Sequence, residues 1–399
     1  MATDYWGNAR LRAFSNKSEK NLRGVRILFA VGSLSISGGT NLILQYAKAL
    51  KDAGADVTLG YMLGNAKDVG WHPHALEFTC LPLAKCTSSL YDLAVATWWP
   101  TVFELPKIRA SRHLYFVQSL ESRFALNVAD QYSEVKAAAS YSFGIPMITV
   151  ASWLQNLLIA ETGSPVWFIR NGIDRSVFPL ANSPKKISSG KPKVLVEGVL
   201  GVGMKAVEET LVACRKAGEV ELWHVTPEVG GGSAQADVIF EKVPFTEMAG
   251  IYAQVDVFVK MSRVEGMFGP PLEAFHYGTP GVFSKVTGFD EYIRDGFNSL
   301  VVEVDDFTHV ENQLKQIISN PDLYSSLSAN ALETARNWPA VEDSAKEFVS
   351  SCFSVLNMNA DPQQALDKIQ DFEKLLNKTI KKGDSIRALV PPALLAGGE

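Results

Sequence analysis

At 399 residues the chain is longer than one hydrophobic core normally supports, and it suits two domains. Apolar residues make up 47% and charged residues 20%, which excludes disorder over most of the length. A net charge of −5 excludes wholesale binding along nucleic acid while leaving room for local phosphate sites.

Cys80, Cys86, Cys214 and Cys352 contain no C-x-x-C pair, so the pattern predicts neither a zinc site nor a disulfide framework. It suits a reducing, cytoplasmic compartment. His72 and His74 flank Pro73 and read as a surface turn rather than a ligand pair. Residues 1–22 read as an N-terminal extension, polar and mildly basic through Arg10, Arg12, Lys17 and Lys20, without the apolar core of a secretory leader. A solvated tail fits that composition; peripheral contact with the inner face of an anionic membrane is the other use it allows. No stretch approaches the ~20 apolar residues of a membrane span.

In chain order, Val25 to Val31 is a continuous apolar run of the kind buried on both faces of a parallel sheet. A small-residue loop ends in Gly38-Gly39. An amphipathic helix follows, with Leu42, Tyr46, Ala47 and Leu50 on one side, and then a strand from Asp56 to Tyr61. Further strands are predicted at Leu93 to Thr97, His113 to Val117, Met147 to Val150 and Val166 to Ile169, with a helix opening at Ser152. The alternation predicts an open α/β domain over 23–170. Residues 171–192, rich in Pro, Ser, Gly and Lys, read as an interdomain linker. The βα alternation then restarts: a strand at Lys193 to Val196, a glycine loop (Gly198, Gly201, Gly203), a helix over Met204 to Ala217, and strands at Val220 to Val225, Val238 to Phe240 and Val255 to Val259. Thr246 is the predicted N-cap of the helix between the last two. These halves predict two Rossmann-like domains facing across a cleft, the second over 193–356. Helices follow Asp306, and 357–399 is a helical C-terminal tail that packs back across a domain or contacts another chain.

The chemistry concentrates in Ser262 to Pro280, SRVEGMFGPPLEAFHYGTP. Glu265 falls in a loop after a strand, and Gly266 and Gly269 leave that loop's backbone open to a ligand. Pro270 and Pro271 suit a first helical turn, which places Glu273 at a helix start. A carboxylate there can grip a diol, as acidic residues do on ribose in dinucleotide folds. The bland alternative for both glutamates is a solvated or helix-N-terminal charge.

Glu265 and Glu273, separated by seven residues, with Gly266-Met267-Phe268-Gly269 and then Gly278-Thr279-Pro280, resemble the E-x7-E signature of retaining glycosyltransferases of the GT-B fold, family 4 type. Asn171-Gly172-Ile173-Asp174, Tyr252 to Val259, Asp290-Glu291, Asp295-Gly296 and Asn298 resemble that family in order, so the resemblance runs from about Val25 to Phe353. It implies that Glu273 holds the ribose hydroxyls, that Glu265 meets the donor sugar or the developing charge at its anomeric carbon, and that the amides of Met267, Phe268 and Gly269 face phosphate or sugar. It also implies Lys205 and the Gly38-Gly39 amides at the diphosphate. A solvated lysine and a bare turn are the other roles open to these residues.

Two departures accompany the match. The family's arginine a few residues before that lysine is absent from Leu200 to Met204; Arg263 either supplies the missing charge or serves as a cap or surface residue. The first-domain histidine of many relatives is replaced by Tyr115-Phe116-Val117-Gln118-Ser119-Leu120-Glu121, which, with Phe124 and Trp98-Trp99, resembles polysaccharide rhamnosyltransferase-like members. That subgroup implies an L-rhamnose donor and sugar or acceptor contacts by Gln118, Glu121 and Trp98, against a surface turn for Glu121 and a core role for Trp98. The resemblance implies a nucleotide sugar and a glycan or lipid-linked acceptor as partners, and no cofactor. No D-x-D pair ends a strand, so no metal is expected. Donor base, acceptor and oligomeric state are not legible. A nucleotide-sugar epimerase and a non-catalytic nucleotide-binding subunit are the rival readings. The G-x-x-G-x-G loop at Gly198 is not a dehydrogenase fingerprint.

Overall fold

The computed structural model describes residues 21–124 and 132–395. Arg10, Arg12, Lys17 and Lys20 lie outside the described residues. The first apolar run forms β1 (Arg26–Ser33), followed by β2 (Asp56–Leu63), β3 (Thr79–Pro82), β4 (Leu90–Ala96), β5 (Arg109–Val117), β6 (Met147–Thr149) and β7 (Val166–Phe168). These make one parallel sheet in the order β3-β2-β1-β4-β5-β6-β7. The second sheet contains β8 (Lys193–Glu197), β9 (Glu221–Thr226), β10 (Val238–Glu241), β11 (Val257–Lys260), β12 (Gly281–Ser284) and β13 (Leu300–Val302). Its order is β10-β9-β8-β11-β12-β13, again all parallel.

Both faces of each sheet are covered, which is why the strands are apolar throughout. Leu28 and Ala30 enter one core of the first lobe, while Ile27, Phe29 and Val31 enter the other. The connecting helices include α1 (Gly38–Asp52), α2 (Trp99–Glu104), α3 (Ser133–Ser140), α4 (Ser152–Thr162), α5 (Val207–Lys216), α6 (Met248–Gln254) and α7 (Pro270–Phe275). Then come α8 (Phe307–Ser319), α9 (Pro321–Arg336), α10 (Val341–Leu356) and α11 (Pro362–Lys382).

Local chemistry moved some expected boundaries. β3 escapes the pattern because it is a four-residue edge strand ending in Pro82, tolerable only where no neighbour needs its N–H. The helix expected over Met204 to Ala217 is divided: a 3-10 turn spans Gly203–Lys205, and Ala206, at φ +47°, breaks it from α5. Thr246 caps nothing, because Pro244 starts a 3-10 turn ahead of α6 and no side chain caps either element.

The chain crosses back between lobes at α10. Phe348, Val349, Cys352 and Val355 pack into the first lobe, and the Phe348 ring stacks on Tyr46 at 4.3 Å between centroids. The tail follows it: Ala365, Ile369, Phe372 and Leu376 of α11 belong to a first-lobe core. The segment read as a linker is tied to the second lobe, where Lys185 Nζ donates to the carbonyls of Tyr252 and Val255 and to Thr279 Oγ1.

Each sheet reverses direction once, between β1 and β4 and between β8 and β11. Crevices open at the carboxyl ends of parallel strands at such switch points, and ligands bind there in open α/β sheets.

Candidate active site

β11 pairs with β8 as Val257 with Val194, Phe258 with Leu195 and Val259 with Val196, which sets the last residues, Lys260 and Glu197, side by side. Leu195 and Phe258 point into the core beneath α6 and α7. The two-residue period of a strand therefore aims Glu197 and Lys260 at that same face, beyond the apolar layer. The Lys260 side chain is 6% exposed, with Nζ 3.6 Å from Glu197 Oε2.

Glu265 follows in the loop after β11. Its Oε1 accepts from Lys205 Nζ at 2.6 Å and from Ser262 Oγ at 2.7 Å. Lys205 arrives from the glycine loop after β8, held by the 3-10 turn and the left-handed Ala206. Gly198 opens that loop at φ +144°, where a Cβ would also press to 2.7 Å from Val207, so only glycine suits the position. Burial pushes the Glu265 carboxyl up, but the ammoniums of Lys205 and Lys260 and its two hydrogen bonds outweigh that and hold it below the ordinary range. Glu265 is a fixed anion.

Glu273 lies in the first turn of α7, as the Pro270-Pro271 pair predicts. Burial and then the charge of Glu197 push its carboxyl up to about 8, against a hydrogen bond from Tyr252 and the attraction of Lys260. Glu273 therefore binds a proton more readily than an ordinary carboxyl, the opposite of Glu265.

Gln118, at the end of β5, meets both lobes' loops. Its Nε2 donates to the Gly39 carbonyl at 3.3 Å, and a Cβ added to Gly266 would lie 1.9 Å from its own carbonyl oxygen. Gly38 and Gly39 open α1, with Ser37 capping through the Thr40 amide. Trp153 Nε1 donates to the Gly266 carbonyl at 2.9 Å, Ser152 Oγ to Glu291 Oε1 at 2.6 Å, and Arg123 to Thr287 Oγ1 at 2.6 Å. The loop carrying Glu265 is thus held against the first lobe. Met267 packs on cores of both lobes and accepts from Asn171 Nδ2 through sulfur at 3.8 Å.

Several expected contacts go elsewhere. Arg263 spends its guanidinium on Asp305 (2.6 Å), Glu209 (3.0 Å) and the Gly203 carbonyl, pinning the glycine loop from outside, so it does not replace the absent arginine at Glu265. Glu121 is buried, and one carboxylate oxygen accepts from the Trp99 amide at 2.7 Å and the Tyr115 hydroxyl at 3.1 Å; it braces the strand ends of the first lobe. Burial raises its carboxyl to about 8 despite these bonds. Trp98 lies across Gly32, where a Cβ would stand 2.7 Å from its ring, and packs edge-on against Trp99. The Phe268 side chain is buried in the second core, and its carbonyl accepts from Tyr292 Oη at 2.6 Å. Gly269 is the N-cap of α7.

Glu197, Lys260 and Ser262 escaped sequence reasoning. A charged residue closing an apolar strand is common, and the β8–β11 adjacency that turns two such endings into a pair is a property of topology.

Two parallel sheets with facing switch-point crevices and C-terminal helices returning to the first lobe are the GT-B architecture of glycosyltransferases. Comparison with known proteins carries this further. Residues 234–334, which include β11, Glu265 and α7, match the family described as glycosyl transferases group 1. A D-inositol 3-phosphate glycosyltransferase of Actinosynnema mirum is 28% identical over 145 residues, 36% of this chain and 31% of that protein. The lipopolysaccharide core biosynthesis glycosyltransferase LpsE of Rhizobium meliloti is 34% identical over 82 residues, 21% of this chain and 24% of that protein. The chain thus spans less than a third of the length of these curated relatives. Among solved structures, HepE of Anabaena, crystallised with UDP-glucose, shares the fold over 82% of this chain and 99% of its own, with a TM-score of 0.67 at 16% identity. Among the described residues no helix is long and apolar enough to cross a membrane, and no group of three or more His, Cys, Asp or Glu could hold a metal ion.

Proposed function

We propose that the chain is a retaining glycosyltransferase that moves a sugar from a nucleoside-diphosphate donor to a glycan or lipid-linked acceptor. The observation that carries this reading is the gathering of Glu265, Lys205 and Glu273 at the second sheet's crevice, against Gly39 and Gln118 of the first lobe. The match of residues 234–334 to glycosyl transferases group 1, and the UDP-glucose of the HepE structure, support it.

In this reading Glu273 accepts the ribose hydroxyls, and Lys205 faces the diphosphate. Glu265 orients Lys205 and stabilises positive charge at the anomeric carbon. The bond from that carbon to the diphosphate breaks, the acceptor oxygen bonds on the same face, and the acceptor's proton passes to the departing phosphate oxygen. A fixed cation lowers this barrier because it is oriented before charge develops. Lys205 needs no metal for that role, so transfer should persist in the presence of a chelator. We take the protein to be cytoplasmic, with the basic lead of residues 1–22 allowing contact at the inner face of the membrane, and L-rhamnose to be the donated sugar, on the likeness of the Gln118 and Trp98 segments to rhamnosyltransferase-like members.

A thermal-shift screen of UDP, GDP, dTDP and their sugars, including dTDP-L-rhamnose, tests the reading, since a ligand bound only by the folded form raises the melting temperature. NMR of the product then gives the anomer. An inverted product would refute retention, and an epimer formed from UDP-GlcNAc without acceptor would replace transfer by epimerisation. Tight nucleotide binding without turnover would leave a non-catalytic subunit.

A further inference from the structure

Lys260 and Glu197 stand at the floor of the second crevice with their bonding capacity unspent. Lys260 Nζ is 3.6 Å from Glu197 Oε2, an ion-pair distance beyond a hydrogen bond, and that oxygen is buried without a hydrogen-bond partner among the described residues. Such a pair is a poor device for stability, because removing two charges from water costs about as much as their attraction returns. Apolar residues at these strand ends would continue the layer that Leu195 and Phe258 begin.

The sheet face on which the pair stands is the one covered by α7, whose first turn carries Glu273. The groups turned toward that carboxylate are Tyr252 from α6, Tyr277 past the end of α7, Tyr292 from the segment after β12, and Glu197 and Lys260 from the strand ends. Burial keeps the three phenols protonated through the physiological range. The two charges that act on Glu273 are therefore opposite in sign and adjacent: Glu197 raises its affinity for a proton, and Lys260 lowers it.

We propose that Lys260 and Glu197, an adjacent cation and anion at the strand ends beneath α7, are positioning residues of the donor site that act through the Glu273 carboxyl when it accepts a ribose hydroxyl. This rests on the reading of the crevice as a nucleotide site. It also assigns the second cation of the crevice to β11, where Arg263 does not serve. Nucleotide affinity then depends on pH through one carboxyl, and the two neighbours set the midpoint from opposite sides.

The test is calorimetric titration with UDP, GDP and dTDP between pH 6 and 9, on wild type, Lys260→Met, Glu197→Gln and the double variant, with a melting curve for each. Lys260→Met should move the midpoint of affinity upward by about one pH unit, about tenfold weaker binding at pH 7. Glu197→Gln should move it downward and tighten binding at pH 6.5, and the double variant should fall between. Midpoints that stay put, or that move in the same direction in both single variants, overturn the proposal. If Lys260→Met alone fails to fold because Glu197 is left buried and unpaired, Glu197→Gln and the double variant still decide it. Wild type that binds none of the three nucleotides would overturn the donor-site reading itself, and this assignment with it. Binding that ignores both charges would overturn only the assignment.

Discussion

The two lobes reach the gap between them with the same device, a parallel sheet whose reversal leaves strand ends open, and they furnish it differently. At the first sheet the ends of β4 and β5 are lined by Trp98, Gln118 and small residues. The carboxylate there, Glu121, is turned inward onto the Trp99 amide and the Tyr115 hydroxyl. At the second sheet the ends of β8 and β11 carry Glu197 and Lys260, with Lys205, Glu265 and Glu273 on the loops and helix above them. Glu121 and Glu273 are both raised to about 8, for different reasons. Glu121 is raised by burial alone, while its hydrogen bonds favour the ion. Glu273 is raised by burial together with a like charge at its side. A perturbed carboxyl is therefore not by itself a sign of chemistry; what distinguishes the second lobe is a set of opposed charges gathered at its strand ends, loops and helix start.

The sharpest break of that comparison is at Glu265 and Lys205. Replacing either by alanine should lower transfer by about 100- to 1,000-fold, the loss typical of one preorganised charge-stabilising group. Nucleotide affinity, measured calorimetrically, should fall far less in Glu265→Ala. Transfer at wild-type rates in both variants would remove the second crevice from the mechanism. Glu273→Ala comes next: the loss of a charged hydrogen-bond acceptor should weaken nucleotide binding by about 1.5–3 kcal/mol, read as a higher Kd, with the melting temperature of the free protein little changed.

Glu121 sharpens the contrast from the other side. Glu121→Ala leaves the buried Trp99 amide unpaired and should cost about 1–3 kcal/mol of stability in denaturant titration. Glu121→Gln keeps an acceptor oxygen and should fold normally. Because the folded-state pKa of Glu121 is raised, its contribution to stability is complete below the ordinary carboxyl range and is lost as pH rises through about 8. The glutamine variant should therefore be more stable than wild type at pH 9 and nearly equal to it at pH 4. A variant that instead lost nucleotide affinity would bring Glu121 into the site. The smallest effect belongs to Arg263→Ala: a partly exposed guanidinium on two exposed carboxylates contributes about 0–1 kcal/mol, and nucleotide affinity should change by no more than a few-fold.

How much of this was legible before folding depends on whether the signal is local. The strands announce themselves because burial on both faces of a parallel sheet demands uninterrupted apolar runs, as in Arg26–Ser33. The start of α7 does so because proline fixes the backbone of a first turn. Glu265 and Glu273 stood out through their glycine and proline neighbours, Lys205 only through the family resemblance, and the structure brings Lys205 onto Glu265. By contrast, nothing local reveals that α10 leaves the second lobe, since Phe348 and Cys352 would suit either core. Arg263 and Glu121 could not be placed because a charge in a loop takes whichever partner the fold delivers, Asp305 and Glu209 in one case and a backbone amide in the other.

The sequence by itself determined the two βα halves, the acidic loop-and-helix element and the apolar faces that close the lobes, because each is written in contiguous residues under a local steric or solvation rule. Only the tertiary structure decided that Glu197 and Lys260 stand together. Their strands are neighbours across a sheet while separated by two others along the chain, and electrostatic environment follows distance in space.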